Sequence, residues 1–132
     1  GINQMIKRHN IKKLVTLKLD YSHKKTLQNI NKSDIFFFSS VCETFGLVLL
    51  EALLYGKPIL CSNNQPMKEI LKNNAIFFSL NDVNSLYKKL ISITKYKLEK
   101  LQKIKNKNTK FLDKNYNSLK IYKQTIKIYK RY

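Results

Sequence analysis

The chain has 132 residues, which suits one domain with one hydrophobic core. Its 26 Lys and Arg against 8 Asp and Glu give a formal net charge of +18, a field that attracts nucleic acids, anionic lipids and phosphorylated substrates. Only Arg8 and Arg131 are arginines, a poor supply for bidentate phosphate and guanine contacts, and no nucleic-acid module is recognisable, so nucleic acid is disfavoured as a partner.

In chain order, residues 3–9 carry a helical pattern, and partial apolar alternation predicts a strand over residues 13–19. Ser22 is placed to cap a helix running to about Asn31. Residues 35–39 are nearly continuous in apolar side chains, as expected of a strand covered on both faces. Phe45 and Gly46 then open an apolar, helix-like stretch, which Gly56 suits as a C-cap and Pro58 stops. Residues 59–62 predict a third strand, Pro66 the first turn of a short helix, and residues 75–80 a fourth strand. Asn81 or Asp82 caps a helix with an apolar face of Val83, Leu86, Leu90 and Ile93. Strands alternating with helices predict an α/β domain with a parallel sheet.

From residue 95 to 110 the chain is Lys-rich over a thin apolar stripe of Leu98, Leu101 and Ile104. Leu119, Tyr122, Ile126 and Tyr129 then recur at helical spacing. This division, residues 1–95 and 96–132, leaves two readings of the tail. It is a helix docking on a further domain or an anionic membrane face, or a helix covering this domain's own sheet with a solvated basic side. The longest apolar run, residues 45–54, is too short to cross a bilayer and contains Glu51.

Cys42 and Cys61 have no metal or CxxC spacing and suit a reducing compartment. His9 and His23 stand apart from any Asp or Cys cluster and read as surface residues. No metal site is expected. The carboxylates of Glu43 and Glu51 are more informative, because they bracket the apolar helix that follows a strand. Ligands bind at such strand-to-helix turns, and the amides from Phe45 to Leu47 could hold phosphate oxygens or sugar hydroxyls. Glu51 lies roughly 9 Å further along the helix at 1.5 Å per residue. Among Val48, Leu49, Leu50, Ala52 and Leu53, its carboxylate needs hydrogen-bond donors. A vicinal diol such as a ribose and a structural Lys partner satisfy that need equally well.

The stretch 33–40, the two glutamates with seven residues between them, Phe45-Gly46 after the first, Glu51-Ala52 at the second, and Gly56-Lys57-Pro58 with residues 59–63 closely resemble one known pattern. It is that of the C-terminal, donor-binding domain of family-four retaining glycosyltransferases of the GT-B fold. Residues 66–71 resemble that family's next helix and 75–78 its next strand, while Ser22-His23-Lys24-Lys25 resembles its Ser-x-Glu-Glu helix start. The resemblance implies a Rossmann-like half of a GT-B fold and a cytoplasmic protein, also peripheral at the membrane face, serving polysaccharide biosynthesis. It implies transfer of a hexose from a nucleoside-diphosphate sugar to a glycan or lipid-linked acceptor, with no other cofactor. By the same resemblance, Glu43 contacts the donor sugar as the catalytic carboxylate. Thr44, Phe45, Gly46 and Leu47 hold sugar and diphosphate, Glu51 accepts from the ribose, and Leu19, Asp20 and Tyr21 lie near the base. The family has Gly where Leu19 stands. Its complete enzymes also carry an N-terminal acceptor domain, so a C-terminal fragment is expected, inactive alone; a natural short protein is the alternative. The rival functions are a non-catalytic glycosyltransferase-like subunit and a basic membrane- or nucleic-acid-binding module.

Overall fold

The computed structural model of the chain describes residues 1–43 and 46–117; Thr44, Phe45 and the tail stripe from Leu119 to Tyr129 lie outside the described residues. Three short strands, β1 (Phe36–Phe38), β2 (Ile59–Ser62) and β3 (Ile76–Phe78), form one parallel sheet in the order β1-β2-β3. Phe37 pairs with Leu60, and Leu60 with Ile76. Six α-helices accompany them among the described residues: α1 (Ile2–Arg8), α2 (His23–Lys32), α3 (Leu47–Leu54), α4 (Gln65–Leu71), α5 (Val83–Thr94) and α6 (Leu98–Asn115).

Strand alternation sorts the core into two layers. Ile59 and Cys61 face a layer built from Ile30 of α2, Leu49, Ala52 and Leu53 of α3, and Met67, Ile70 and Leu71 of α4. Leu60 and Phe78 face the other way, against Ile93 and Leu86 of α5. All four residues of β2 are buried, whereas the cover expected on both faces of residues 35–39 is incomplete, since β1 stands at the edge of the described sheet with Phe37 48% exposed. Two expected caps are in place. Ser22 Oγ accepts from the Lys25 amide at 3.4 Å, and Asp82 Oδ1 from the Ser85 amide at 2.8 Å.

The expected strand over residues 13–19 does not form. The backbone turns at 12–14 and then runs without a ladder, with Leu14 84% and Leu19 81% exposed. Apolar alternation makes a strand only where a neighbouring edge accepts it, and no described strand pairs with this one.

The Lys-rich segment folds back on the domain. Helix α6 lays Phe111 and Leu112 against the α3–α4 layer. Asn108, 1% exposed, donates from Nδ2 to the Lys57 carbonyl at 3.4 Å, Lys107 Nζ donates to the Asn73 carbonyl, and Tyr116 donates its hydroxyl to the Ile70 carbonyl at 3.1 Å. Burial raises the Tyr116 pKa. The close approach is made at Gly56, whose φ of +67° closes α3 in a Schellman turn: the Lys57 amide bonds the Ala52 carbonyl and the Gly56 amide the Leu53 carbonyl. A Cβ on Gly56 would lie 2.5 Å from Lys105 Cγ and 3.2 Å from its Cα, so backbone as well as side chain stands in the way.

Gly56→Ala therefore combines left-handed strain with a clash against α6. We expect it to lower unfolding free energy by about 2 kcal/mol or more, read from denaturant titration; an unchanged midpoint would remove this contact from the account.

Candidate functional site

The loop after β1 and the start of α3 stand at the carboxyl ends of the parallel strands, where open α/β sheets gather ligand groups. Residues 39–43 lead from β1 with no ladder of their own, and Glu43 is half-buried. Gly46, buried at φ +59°, ψ +51°, is the N-cap of α3. That conformation admits glycine at little cost and other residues at about 1–2 kcal/mol. A Cβ here would lie 2.9 Å from Leu49 Cδ1, the movable end of a side chain, and in ordinary contact with Glu43 Cγ at 3.4 Å, so the backbone conformation rather than space favours glycine. The Glu43 side chain thus lies beside the residue that opens α3. The Leu49 amide already bonds the Gly46 carbonyl at 2.8 Å, and Leu47 opens the helix 65% exposed.

Glu51 projects from the middle of α3 with its side chain 22% exposed, and its Oε1 accepts from His23 Nε2 at 2.6 Å. The donor that this carboxylate requires is a histidine rather than a lysine. His23 is 71% exposed, in keeping with a surface residue, but it is not isolated. A carboxylate has about four lone-pair sites, so the His23 bond leaves Glu51 capacity for further hydroxyl donors. Sequence reasoning missed this pair because its members are 28 residues apart and meet only when α2 packs on α3.

The other side of the loop is held from β2. Ser62 Oγ donates to the Ser40 carbonyl at 2.6 Å, and Asn64 Nδ2 donates to the carbonyls of Ser40 and Val41 at 2.8 and 2.9 Å. Further off, Tyr21 lines a cavity of about 360 Å³ with Lys18, Thr26, Asn29 and Phe36. The ammonium groups of Lys18 and Lys25 stand over its ring at 5.5 and 5.8 Å. Leu19 is exposed, and the left-handed backbone of this segment falls on Asp20, at φ +53°. No group of three or more His, Cys, Asp or Glu able to hold a metal occurs among the described residues. No described helix is long and apolar enough to cross a membrane.

With this geometry established, similarity decides the family. The family model described as "Glycosyl transferases group 1" matches residues 2–111. The chain belongs to that family. It is also 26% identical over 130 residues to the phosphatidylinositol N-acetylglucosaminyltransferase GPI3 subunit of Saccharomyces cerevisiae, in strains YJM789, RM11-1a and S288c alike. The match covers 96% of the chain but 28% of each relative, so the chain spans under a third of the length of the curated relatives it matches. The group 1 glycosyltransferase domain accounts for the α/β fold and the parallel sheet.

The two cysteines provide a check on this arrangement. Cys42 is exposed beside Glu43, whereas burial pushes the Cys61 thiol up to about 11. A raised thiol pKa withholds the reactive thiolate until pH approaches that value. At pH 8 a thiol reagent should therefore label one site, Cys42, in the folded chain and both after denaturation. Equal rates at the two cysteines would contradict the burial of β2.

Proposed function

We propose that the chain forms the donor-binding part of a retaining glycosyltransferase, which moves a hexose-type sugar from a nucleoside diphosphate to a glycan or lipid-linked acceptor. The observation that carries this reading is the left-handed Gly46 that opens α3 beyond the carboxyl end of β1, with the Glu43 side chain beside it. In this reading Glu43 accepts from hydroxyls of the donor sugar, and the backbone of Thr44 to Leu47 holds sugar and diphosphate at the positive end of the helix. Glu51, oriented by His23, accepts from the ribose diol. Tyr21, with Leu19 and Asp20 beside it, lies toward the base. The bond from the anomeric carbon to the diphosphate breaks as the acceptor oxygen arrives on the same face. The acceptor proton leaves toward the departing phosphate oxygen, so no protein nucleophile, metal or further cofactor is required. Orientation and charge stabilisation supply the catalysis.

The name of the yeast relatives supports an N-acetylglucosaminyl donor and phosphatidylinositol as acceptor. The net charge of +18 suits an anionic lipid face on the cytoplasmic side. A missing acceptor domain, on the same or another polypeptide, completes the cleft, so the 132 residues alone bind the donor weakly and transfer nothing. The relatives are named as a subunit, which favours one second reading: a glycosyltransferase-like subunit that binds the donor without performing transfer.

Two variants test the site in a transfer-competent protein carrying this chain. Glu43→Gln should lower turnover at least about 100-fold while changing donor affinity little, because contacts at the reacting sugar count most in the transition state. Glu51→Leu should leave the apolar helix at least as stable, since a half-buried carboxylate is removed from it, yet weaken nucleotide binding. Turnover unaffected by Glu43→Gln would remove Glu43 from the site, and unchanged nucleotide affinity in Glu51→Leu would remove the ribose contact.

A further inference from the structure

Asn64 is the N-cap residue of α4, yet its side chain makes no capping bond to that helix. Asn is among the strongest N-caps because its side-chain oxygen satisfies an orphan amide of the first turn. Here the side chain reaches across to the preceding strand's loop, donating to the carbonyls of Ser40 and Val41. Ser62, fully buried, adds a second donor to the same Ser40 carbonyl. A carbonyl oxygen has two lone pairs, and both at Ser40 are taken by these two side chains. Ser40 in turn donates its hydroxyl to the Cys42 carbonyl at 2.8 Å, one residue before Glu43.

None of this is required to join the strands. β1 is already paired to β2 through its backbone, and the Asn63 amide bonds the Phe78 carbonyl at 2.9 Å to tie β2's end to β3. The three side-chain bonds act on one feature, the ladder-free loop 40–43. We propose that Ser62 and Asn64 are positioning residues that fix this loop, and through it the carboxylate of Glu43, at the distance the donor sugar demands. The proposal rests on the reading of Glu43 given above and adds the device that holds it. A displacement of about 1 Å at a reacting group can reduce a rate about 100-fold, so a loop with no ladder needs such a device.

The test is Asn64→Asp in the transfer-competent protein, beside Ser62→Ala, Ser62→Thr and Glu43→Gln. Asp has the size of Asn and caps a helix as well, but it presents only acceptors to two carbonyl oxygens. We expect Asn64→Asp to keep or raise the melting temperature, to speed hydrogen exchange at Val41 to Glu43, and to lower kcat about tenfold or more with a smaller change in donor KM. Ser62→Ala should act in the same direction and Ser62→Thr should restore kcat. If Glu43→Gln abolishes turnover while Asn64→Asp leaves kcat unchanged, the positioning role is wrong and the reading of Glu43 stands. If Glu43→Gln is silent, that reading fails and this proposal with it. A kcat loss that follows a fall in melting temperature in both variants would make the pair ordinary scaffold and overturn the proposal.

Discussion

The burial of α3 is the constraint on which the rest of the structure depends. Leu49, Ala52 and Leu53 are fully buried against β2 and α4, and each large side chain so buried contributes roughly 1.5–3 kcal/mol. This anchoring sets the axis of the helix, and the axis sets the candidate site. At one end, Gly46 turns the chain into the helix beside Glu43; in the middle, Glu51 emerges on the flank covered by α2; at the other end, Gly56 closes the helix and lets α6 approach. A helix so apolar tolerates a carboxylate only with a donor beside it, and His23 supplies one. Packing and site are therefore one arrangement.

The regions of the sequence that declared themselves were those under strong local constraint. Residues 59–62 read as a strand and are one, buried along its whole length. Ser22, Asp82, Gly56 and Pro66 mark helix ends by their own chemistry, and each stands where that chemistry places it. The failure at residues 13–19 has the opposite cause. A strand is a property of two segments, and the partner for this one is not among the described elements. The same distinction applies within the site. The glutamates and Gly46 stand out in the sequence through their spacing and residue type. His23 and Asn64 do not, because their roles come from contacts made across 28 and 24 residues. Asn64 is the more instructive, since its position before Pro66 suggests a helix cap while its side chain is used elsewhere.

The basic composition takes a plainer meaning in three dimensions. Helix α6, rich in Lys, covers the α3–α4 layer with Phe111 and Leu112, and Lys107 reaches a backbone carbonyl. Lys57 likewise donates to the Asn31 carbonyl at 2.7 Å, closing the last turn of α2, and Lys89 to the Phe77 carbonyl at 2.7 Å. Part of the charge is thus spent inside the fold as carbonyl donors with apolar stems. The remaining cations give the domain a positive field that attracts anions in general.

The central claim is that the start of α3 and the loop before it receive the diphosphate and sugar of a nucleotide donor. Titrating the isotope-labelled chain with nucleoside-diphosphate N-acetylglucosamine, and following backbone amide resonances, tests this most directly. The account predicts saturable shifts concentrated at residues 40–51 and around His23, reduced by salt and absent with the free sugar. Shifts spread over the lysines of α6, equal for any polyphosphate and leaving Gly46 and Leu47 unmoved, would contradict it.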